Sequence, residues 1–113
     1  MADVRFVEVS GATKAIVDGR LDAASVDALE TRFLSGVMAS GSNAIVDLSG
    51  VSFIASLGIR MLLSAARALR NRDRKLAIFG ASAVVMEIIQ STALSDVIPV
   101  LNSEAEALAT LSP

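Results

Sequence analysis

The sequence contains no cysteine, histidine, tryptophan or tyrosine. Without cysteine, neither a disulfide nor a thiolate metal site can form. Without histidine, the chain lacks the commonest metal ligand and the usual general base at neutral pH. A nucleophilic serine would then need a carboxylate or a lysine as its base. Lys14 and Lys75 both fall at predicted strand starts, whereas Ser56 lies past the end of a strand, so neither lysine is expected beside it. We therefore expect a protein that is not an enzyme and that uses no metal and no cofactor.

A strong net charge and long apolar runs are also missing. The formal net charge is -2 at pH 7, which argues against a general nucleic-acid binder. No segment approaches the roughly 20 apolar residues of a membrane helix, and the first residues show no signal peptide. The glycines follow no Gly-x-Gly-x-x-Gly or Walker pattern, which argues against a nucleotide-binding loop. With 53% hydrophobic residues, residues 1–113 have the composition of one globular domain, expected in the cytoplasm without membrane insertion.

Hydrophobic periodicity predicts two strands followed by alternating helices and strands. The first two strands, residues 4–9 and 14–17, form a hairpin broken at Gly11, and further turns are predicted at residues 18–19 and 48–50. The later elements are helix 26–37, strand 43–47, a helix from 57, strand 75–79, a helix after 82, strand 96–101 and a helix after 103. Such alternation requires crossover connections and a largely parallel centre. The sequence therefore predicts an α/β fold, with a mixed four- to five-stranded sheet, an initial hairpin and about four covering helices.

The segment from residue 44 to residue 63 is the most informative part of the chain. An apolar run ends in Asp47, and Ser56 stands immediately before a helical pattern. The backbone N–H groups in the first turn of a helix lack acceptors and favour negative charge. A phosphate on Ser56 would therefore be stabilised at that position. Serine is also among the commonest N-cap residues, so position alone leaves a purely structural role open.

Four segments of the chain resemble the STAS domain family of anti-sigma factor antagonists. Residues 47–58 (DLSGVSFIASLG) are similar to the family signature, in which a strand ending in Asp leads to a phosphorylatable Ser and a helix. Residues 18–23 resemble the turn before the first helix. Residues 91–98 and 103–108 resemble the end of the third helix and the start of the last one. The resemblance covers nearly the whole chain in the family's order, and it implies a single STAS domain.

The resemblance implies a phospho-regulated binding protein in which Ser56 accepts the phosphate. The unphosphorylated domain would bind a serine kinase that is also an anti-sigma factor. That kinase would phosphorylate the domain with ATP, the complex would dissociate, and a phosphatase would reset it. Asp22 and Asp47 are implied to line the same end of the sheet. The other residues expected to contact the partner are Ile54, Leu57, Gly58 and Met61. Leu57 and Met61 share one side of the helix, which is either exposed or packed under the third helix.

Several alternatives remain open at the level of sequence. Ala55 and Leu57 replace an acidic residue and a second serine that the family often has, which favours a constitutive subunit of a signalling assembly or a lipid-transport complex. Asp22 and Asp47 could bind magnesium at strand ends, although such residues more often cap turns and helices. The basic residues within 67–75 mark either a solvated helix end or a patch for an acidic partner. If the domain self-associates, we expect a weak homodimer.

Overall fold

The computed structural model describes residues 2–111, which form five strands and five helices. In chain order these are β1 (Ala2–Val9), β2 (Ala12–Leu21), α1 (Ala23–Met38), β3 (Ala44–Ile54), α2 (Ser56–Arg70), β4 (Leu76–Phe79), α3 (Ala83–Gln90), α4 (Leu94–Val97), β5 (Val100–Leu101) and α5 (Glu104–Leu111). The strands lie in the order β1-β2-β3-β4-β5. The β1–β2 pair is antiparallel and the other three pairs are parallel. This arrangement confirms the predicted mixed sheet with an initial hairpin.

Strands β2 and β3 are longer than the sequence predicts. The turns expected at residues 18–19 and 48–50 are wrong, because both segments continue as strand. Asp18 pairs with Gly50 and Leu21 pairs with Ile54, with one register shift just before Asp18 and another between the two pairs. Bulges of this kind absorb turn-type residues without reversing the chain. As a result, β3 extends beyond the end of β4, which pairs through Phe79 with residue 47 of β3.

The buried side chains form two cores, one on each face of the sheet. In β3, Val46 belongs to the larger core and its neighbour Ile45 belongs to the smaller one, as expected where successive residues of a strand face opposite ways. The larger core receives residues from α1 to α4, including the predicted stripe of α1, which is Val26, Leu29, Phe33 and Val37. The smaller core lies beneath α5 and contains its residues Ala107 and Leu111. Among residues 2–111, no helix is both long and apolar enough to cross a membrane.

Asp22 caps the first helix, α1. Its Oδ1 accepts a hydrogen bond from the backbone N–H of Ser25 at 3.0 Å. This bond, assisted by the Ser25 side chain and by the positive charge of Arg20, lowers the pKa of the Asp22 carboxyl below its ordinary value of 3.8. Folding therefore favours the ionised carboxylate. The resulting stability is present above the ordinary pKa and is lost as the pH falls through the lowered one.

We expect Asp22→Asn to remove part of the acid sensitivity of the fold. Asparagine caps helices about as well as aspartate, but it does not titrate. The free energies of unfolding of wild type and variant should therefore converge as the pH falls below 3.8. Urea unfolding at neutral and at acid pH measures this difference. Asp27→Asn, which removes the same charge from an exposed position of α1, is the matched control. If the free energies of unfolding of the wild type and Asp22→Asn differed by the same amount at both pH values, the role of the ionised carboxylate in capping would be contradicted.

Candidate functional site

Ser56 is the first residue of α2 and follows the point where β2 and β3 end together. The N–H of Ala55 donates to the carbonyl of Leu21 at 2.9 Å, which ties the start of α2 to the last residue of β2. The N-cap of α2 is Ala55, whose side chain makes no capping hydrogen bond. The alternative in which Ser56 serves as the N-cap of α2 is therefore wrong, because the N-cap is the preceding residue. The Ser56 side chain is exposed, and its hydroxyl is not committed to capping.

The first turn of α2 contains backbone N–H groups that have no acceptor among the described residues. The N–H groups of Gly58 and Ile59 donate to the carbonyl of Ala55 at 2.9 and 3.1 Å. The N–H groups of Ser56 and Leu57 find no acceptor within the described part of the chain. No acidic side chain lies in this turn. The positive end of a 15-residue helix dipole therefore meets solvent beside the Ser56 hydroxyl, which favours an anionic group there.

A surface depression of about 510 Å³ opens beside Ser56. One wall consists of the end of β3 and the first turn of α2, including Phe53 and Ile59. The opposite wall is the end of α3 and the turn that follows it, including Ser91 and Thr92. The hydroxyls of those two residues donate to the carbonyls of residues 88 and 89 at 2.7 and 2.8 Å. The depression combines an apolar wall with a polar rim, which suits a protruding side chain of a partner.

A cation also lies near this end of the sheet. The Arg20 guanidinium stacks over the ring of Phe53, 4.6 Å from its centre. The Arg20 Nε is 3.8 Å from the Asp22 carboxylate. The two side chains of this ion pair are 56% and 40% exposed, so the pair adds little stability, but it holds positive charge close to the strand ends. Sequence reasoning missed Arg20 and Phe53 as site residues, because the β2–β3 register that pairs them leaves no local pattern.

The structure separates the residues expected to contact a partner. Leu57 is 37% exposed beside Ser56, whereas Ile54 and Met61 are 1% and 0% exposed. The expectation that Ile54 and Met61 contact a partner is corrected, because Ile54 at the end of β3 and Met61 in α2 both pack into the larger core. Gly58 is buried as well, and a Cβ at Gly58 would lie 3.1 Å from the Leu21 carbonyl. This glycine therefore allows α2 to approach the strand ends closely.

Asp47 lies far from Ser56 along β3. It pairs with Phe79 at the end of β4, and its Oδ1 accepts hydrogen bonds from the N–H and the hydroxyl of Ser49 at 2.9 and 2.6 Å. Asp22 follows the β2 residue that pairs with residue 54, so roughly 20 Å of strand separates the two aspartates. The expectation that Asp22 and Asp47 line the same end is wrong. Among residues 2–111, no group of three or more acidic side chains could hold a metal ion.

The fold and the site define a small α/β domain with an exposed serine at an anion-favouring helix start. A family model described as STAS domain matches residues 3–107, and the chain therefore belongs to the STAS domain family. Among curated relatives, the anti-sigma-B factor antagonist of Listeria monocytogenes is 36% identical over 61 residues, 54% of either chain. This chain thus spans about half the length of that relative. BtrV of Bordetella bronchiseptica is 26% identical over 102 residues, covering 90% of this chain and 88% of BtrV.

Solved structures agree on the same architecture. An anti-sigma factor antagonist from Mycobacterium paratuberculosis superposes with a TM-score of 0.87 at 21% identity, covering 98% of this chain and 94% of its own. SpoIIAA in its unphosphorylated form gives 0.76 at 18% identity, with coverage of 96% and 95%. Bacillus SpoIIAA in its phosphorylated form gives 0.66 at 18% identity, with coverage of 97% and 100%. At these identities the likeness is one of fold, and this chain is a STAS domain similar to those of anti-sigma factor antagonists.

Proposed function

We propose that this domain is a phospho-regulated binding protein that works in the cytoplasm. Its unphosphorylated form binds a serine kinase that is also an anti-sigma factor, phosphorylation of Ser56 releases the complex, and a phosphatase restores the hydroxyl. The observation that carries the proposal is the placement of Ser56, an exposed hydroxyl beside two backbone N–H groups that have no acceptor among the described residues. Relatives named anti-sigma-B factor antagonist and a fold shared with SpoIIAA in both phosphorylation states support it.

The chemistry of phosphoryl transfer assigns most of the catalytic work to the kinase. The Ser56 oxygen attacks the γ-phosphorus of ATP, the new P–O bond forms, and the bond to the oxygen of departing ADP breaks. The hydroxyl proton must pass to a base. The chain has no histidine, and the first turn of α2 has no carboxylate, so the kinase supplies the base together with magnesium-bound ATP. The contribution of this domain is a presented hydroxyl and a helix end that tolerates the product charge.

Intact-mass spectrometry tests the phosphorylation directly. The domain is incubated with magnesium, ATP and each small ATP-binding serine kinase encoded by its own genome. We expect one kinase to add a single phosphate to the wild type and none to Ser56→Ala. Ser52→Ala is the matched control, since Ser52 is an exposed serine of the same segment, and it should still gain the phosphate. The proposal fails if no kinase modifies the wild type, or if Ser56→Ala is modified equally.

A second candidate function is a constitutive docking subunit of a signalling assembly or a lipid-transport complex. Leu57 favours it, because this apolar side chain is 37% exposed next to Ser56. An exposed leucine at a helix start contributes to an interface without any change of charge. A constitutive subunit would gain no phosphate in the incubation above, and it would stay bound to its partner in the presence of ATP.

A further inference from the structure

A second surface lies at the far end of α2, away from Ser56. Ser56 and Arg70 are the first and last residues of this helix, which places them roughly 20 Å apart along its axis. A groove of about 410 Å³ runs there between the end of α2, the start of β4, the segment from α4 to β5 and the end of α5. Its lining includes the apolar side chains of Leu76, Val97 and Leu111. Val97 is 46% exposed, so the groove offers apolar surface to an approaching molecule.

Unpaired positive charge surrounds this groove. Five of the ten basic residues of the chain fall within residues 67–75, and all five are exposed. Three of them, Arg70, Arg74 and Lys75, line the groove together with one carboxylate, that of Asp73. The ion pairs found between residues 2 and 111 involve other basic residues. The Nε of Arg74 donates to the carbonyl of Gly41 at 2.7 Å, which holds this guanidinium in place at the groove.

The end of α2 does not need all of these cations to satisfy its carbonyl groups. The N–H of Asp73 donates to the carbonyl of Arg70 at 3.0 Å, and the N–H of Arg74 donates to that of Leu69 at 2.8 Å. Asp73 takes the left-handed conformation, with φ of 58°, that closes a helix in this way. Arg74 and Lys75 follow the helix, where the dipole interaction has faded. Their charge is therefore available to a ligand.

We propose that this groove binds an acidic amphipathic segment of a partner protein. The apolar side chains of that segment would occupy the groove, and its carboxylates would face Arg70, Arg74 and Lys75. The positive charge around the groove favours an acidic ligand. The groove is concave, so a protein segment can reach its apolar lining, whereas the flat surface of a lipid bilayer cannot. Within residues 2–111, no aromatic side chain lines the groove, so it does not offer the stacking that single-stranded nucleic acids use. Because Ser56 lies roughly 20 Å away along the axis of α2, its phosphorylation should leave binding in this groove unchanged.

Fluorescence anisotropy with a synthetic probe tests the groove. The probe is a labelled, end-capped peptide with leucine at every third or fourth position and glutamate elsewhere. We expect saturable binding that weakens as salt rises, and roughly tenfold weaker binding to the double variant Arg70→Gln/Lys75→Gln. The matched control, Arg5→Gln/Arg60→Gln, removes two exposed charges elsewhere and should stay within about twofold of the wild type. Ser56→Asp should bind the probe as tightly as the wild type.

Three further measurements separate this groove from general attraction to anions. A probe with serine in place of leucine should lose most of its affinity, because it keeps the charge and lacks the apolar contacts. The amide NMR signals that shift on titration should be those of residues 66–76 and 97–99, rather than those around Ser56. Phosphatidylserine vesicles and duplex DNA should bind more weakly than the peptide. Tighter binding of either, equal losses in both double variants, or no binding of the peptide would overturn the proposal.

Discussion

Ser56→Asp should weaken binding to the partner kinase by on the order of a hundredfold, whereas Ser56→Ala should bind as tightly as the wild type. An interface shaped for a neutral hydroxyl would enclose an unpaired carboxylate in the first variant and only a methyl group in the second. Burying an unpaired charge at an interface costs about 2–5 kcal/mol, and each 1.4 kcal/mol corresponds to a factor of about ten in affinity. A genuine phosphate, with close to two negative charges at neutral pH, should have at least the effect of aspartate.

The loss of binding by Ser56→Asp should occur without loss of the fold. A carboxylate on the first residue of α2 would lie near the backbone N–H groups of residues 56 and 57, which have no acceptor within residues 2–111, so the helix dipole should stabilise it. Urea unfolding should therefore show a free energy of unfolding no lower than that of the wild type. Calorimetric titration of the kinase measures the affinity of each variant. Ser52→Asp, which adds the same charge at an exposed position of β3, is the control and should bind nearly as well as the wild type.

Equal affinities of the wild type and Ser56→Asp would count against the switch and leave the docking-subunit function standing. Weak binding by both Ser56→Asp and Ser52→Asp would indicate a general repulsion between this acidic chain and its partner. Only the combination of a weak Ser56→Asp, an intact Ser56→Ala and an intact Ser52→Asp supports a charge-sensitive contact at the start of α2. The groove at the other end of that helix is unaffected by any of these three substitutions.

Apart from α4, the order of elements is predictable from the sequence because each of the other elements carries a local signal. The strand predicted over residues 96–101 is too long, because residues 94–97 form α4 and β5 covers only Val100–Leu101. The stripe of Val26, Leu29, Phe33 and Val37 has helical spacing, and all four side chains are buried in the structure. Asp22 stands three residues before its hydrogen-bond donor, Ser25, which is the spacing of an N-cap. Short apolar runs flanked by turn residues indicate the buried parallel strands. Such signals depend only on neighbouring residues along the chain, so they can be recognised without knowledge of the tertiary structure.

The lengths of β2 and β3 are not predictable in the same way. Residues 18–19 and 48–50 have turn-type sequences, yet both stretches lie inside strands. Their pairing, Asp18 with Gly50 and Leu21 with Ile54, joins segments about thirty residues apart, and local propensity does not contain that information. The error has a functional consequence. A chain that turned at Gly50 would bring Asp47 close to Asp22, whereas the continuous strand keeps the two carboxylates far apart.

Helical spacing alone also fails to decide which residues of α2 face the partner. Leu57 and Met61 are one turn apart and share a side by spacing, but their exposures differ, at 37% and 0%. The helix packs against α1, β3 and β4, and in its first turn only the first two residues, 56 and 57, are exposed. The exposure of a residue in α2 therefore depends on its position along the helix axis as well as on its position around the axis. The surface available to a partner near Ser56 is reduced to the first turn of α2 and the depression beside it.

Met61→Ala and Leu57→Ala form a pair that tests this division between core and surface. Met61 is fully buried in the larger core, so its truncation should lower the free energy of unfolding by about 2–5 kcal/mol. Leu57 lies at the surface, so the same truncation should change stability by less than about 0.5 kcal/mol while weakening the partner complex. Urea unfolding and calorimetric titration, run on both variants below their unfolding transitions, give the two quantities. If Met61→Ala weakened binding while stability stayed unchanged, Met61 would be a contact residue and the packing of α2 described above would be wrong.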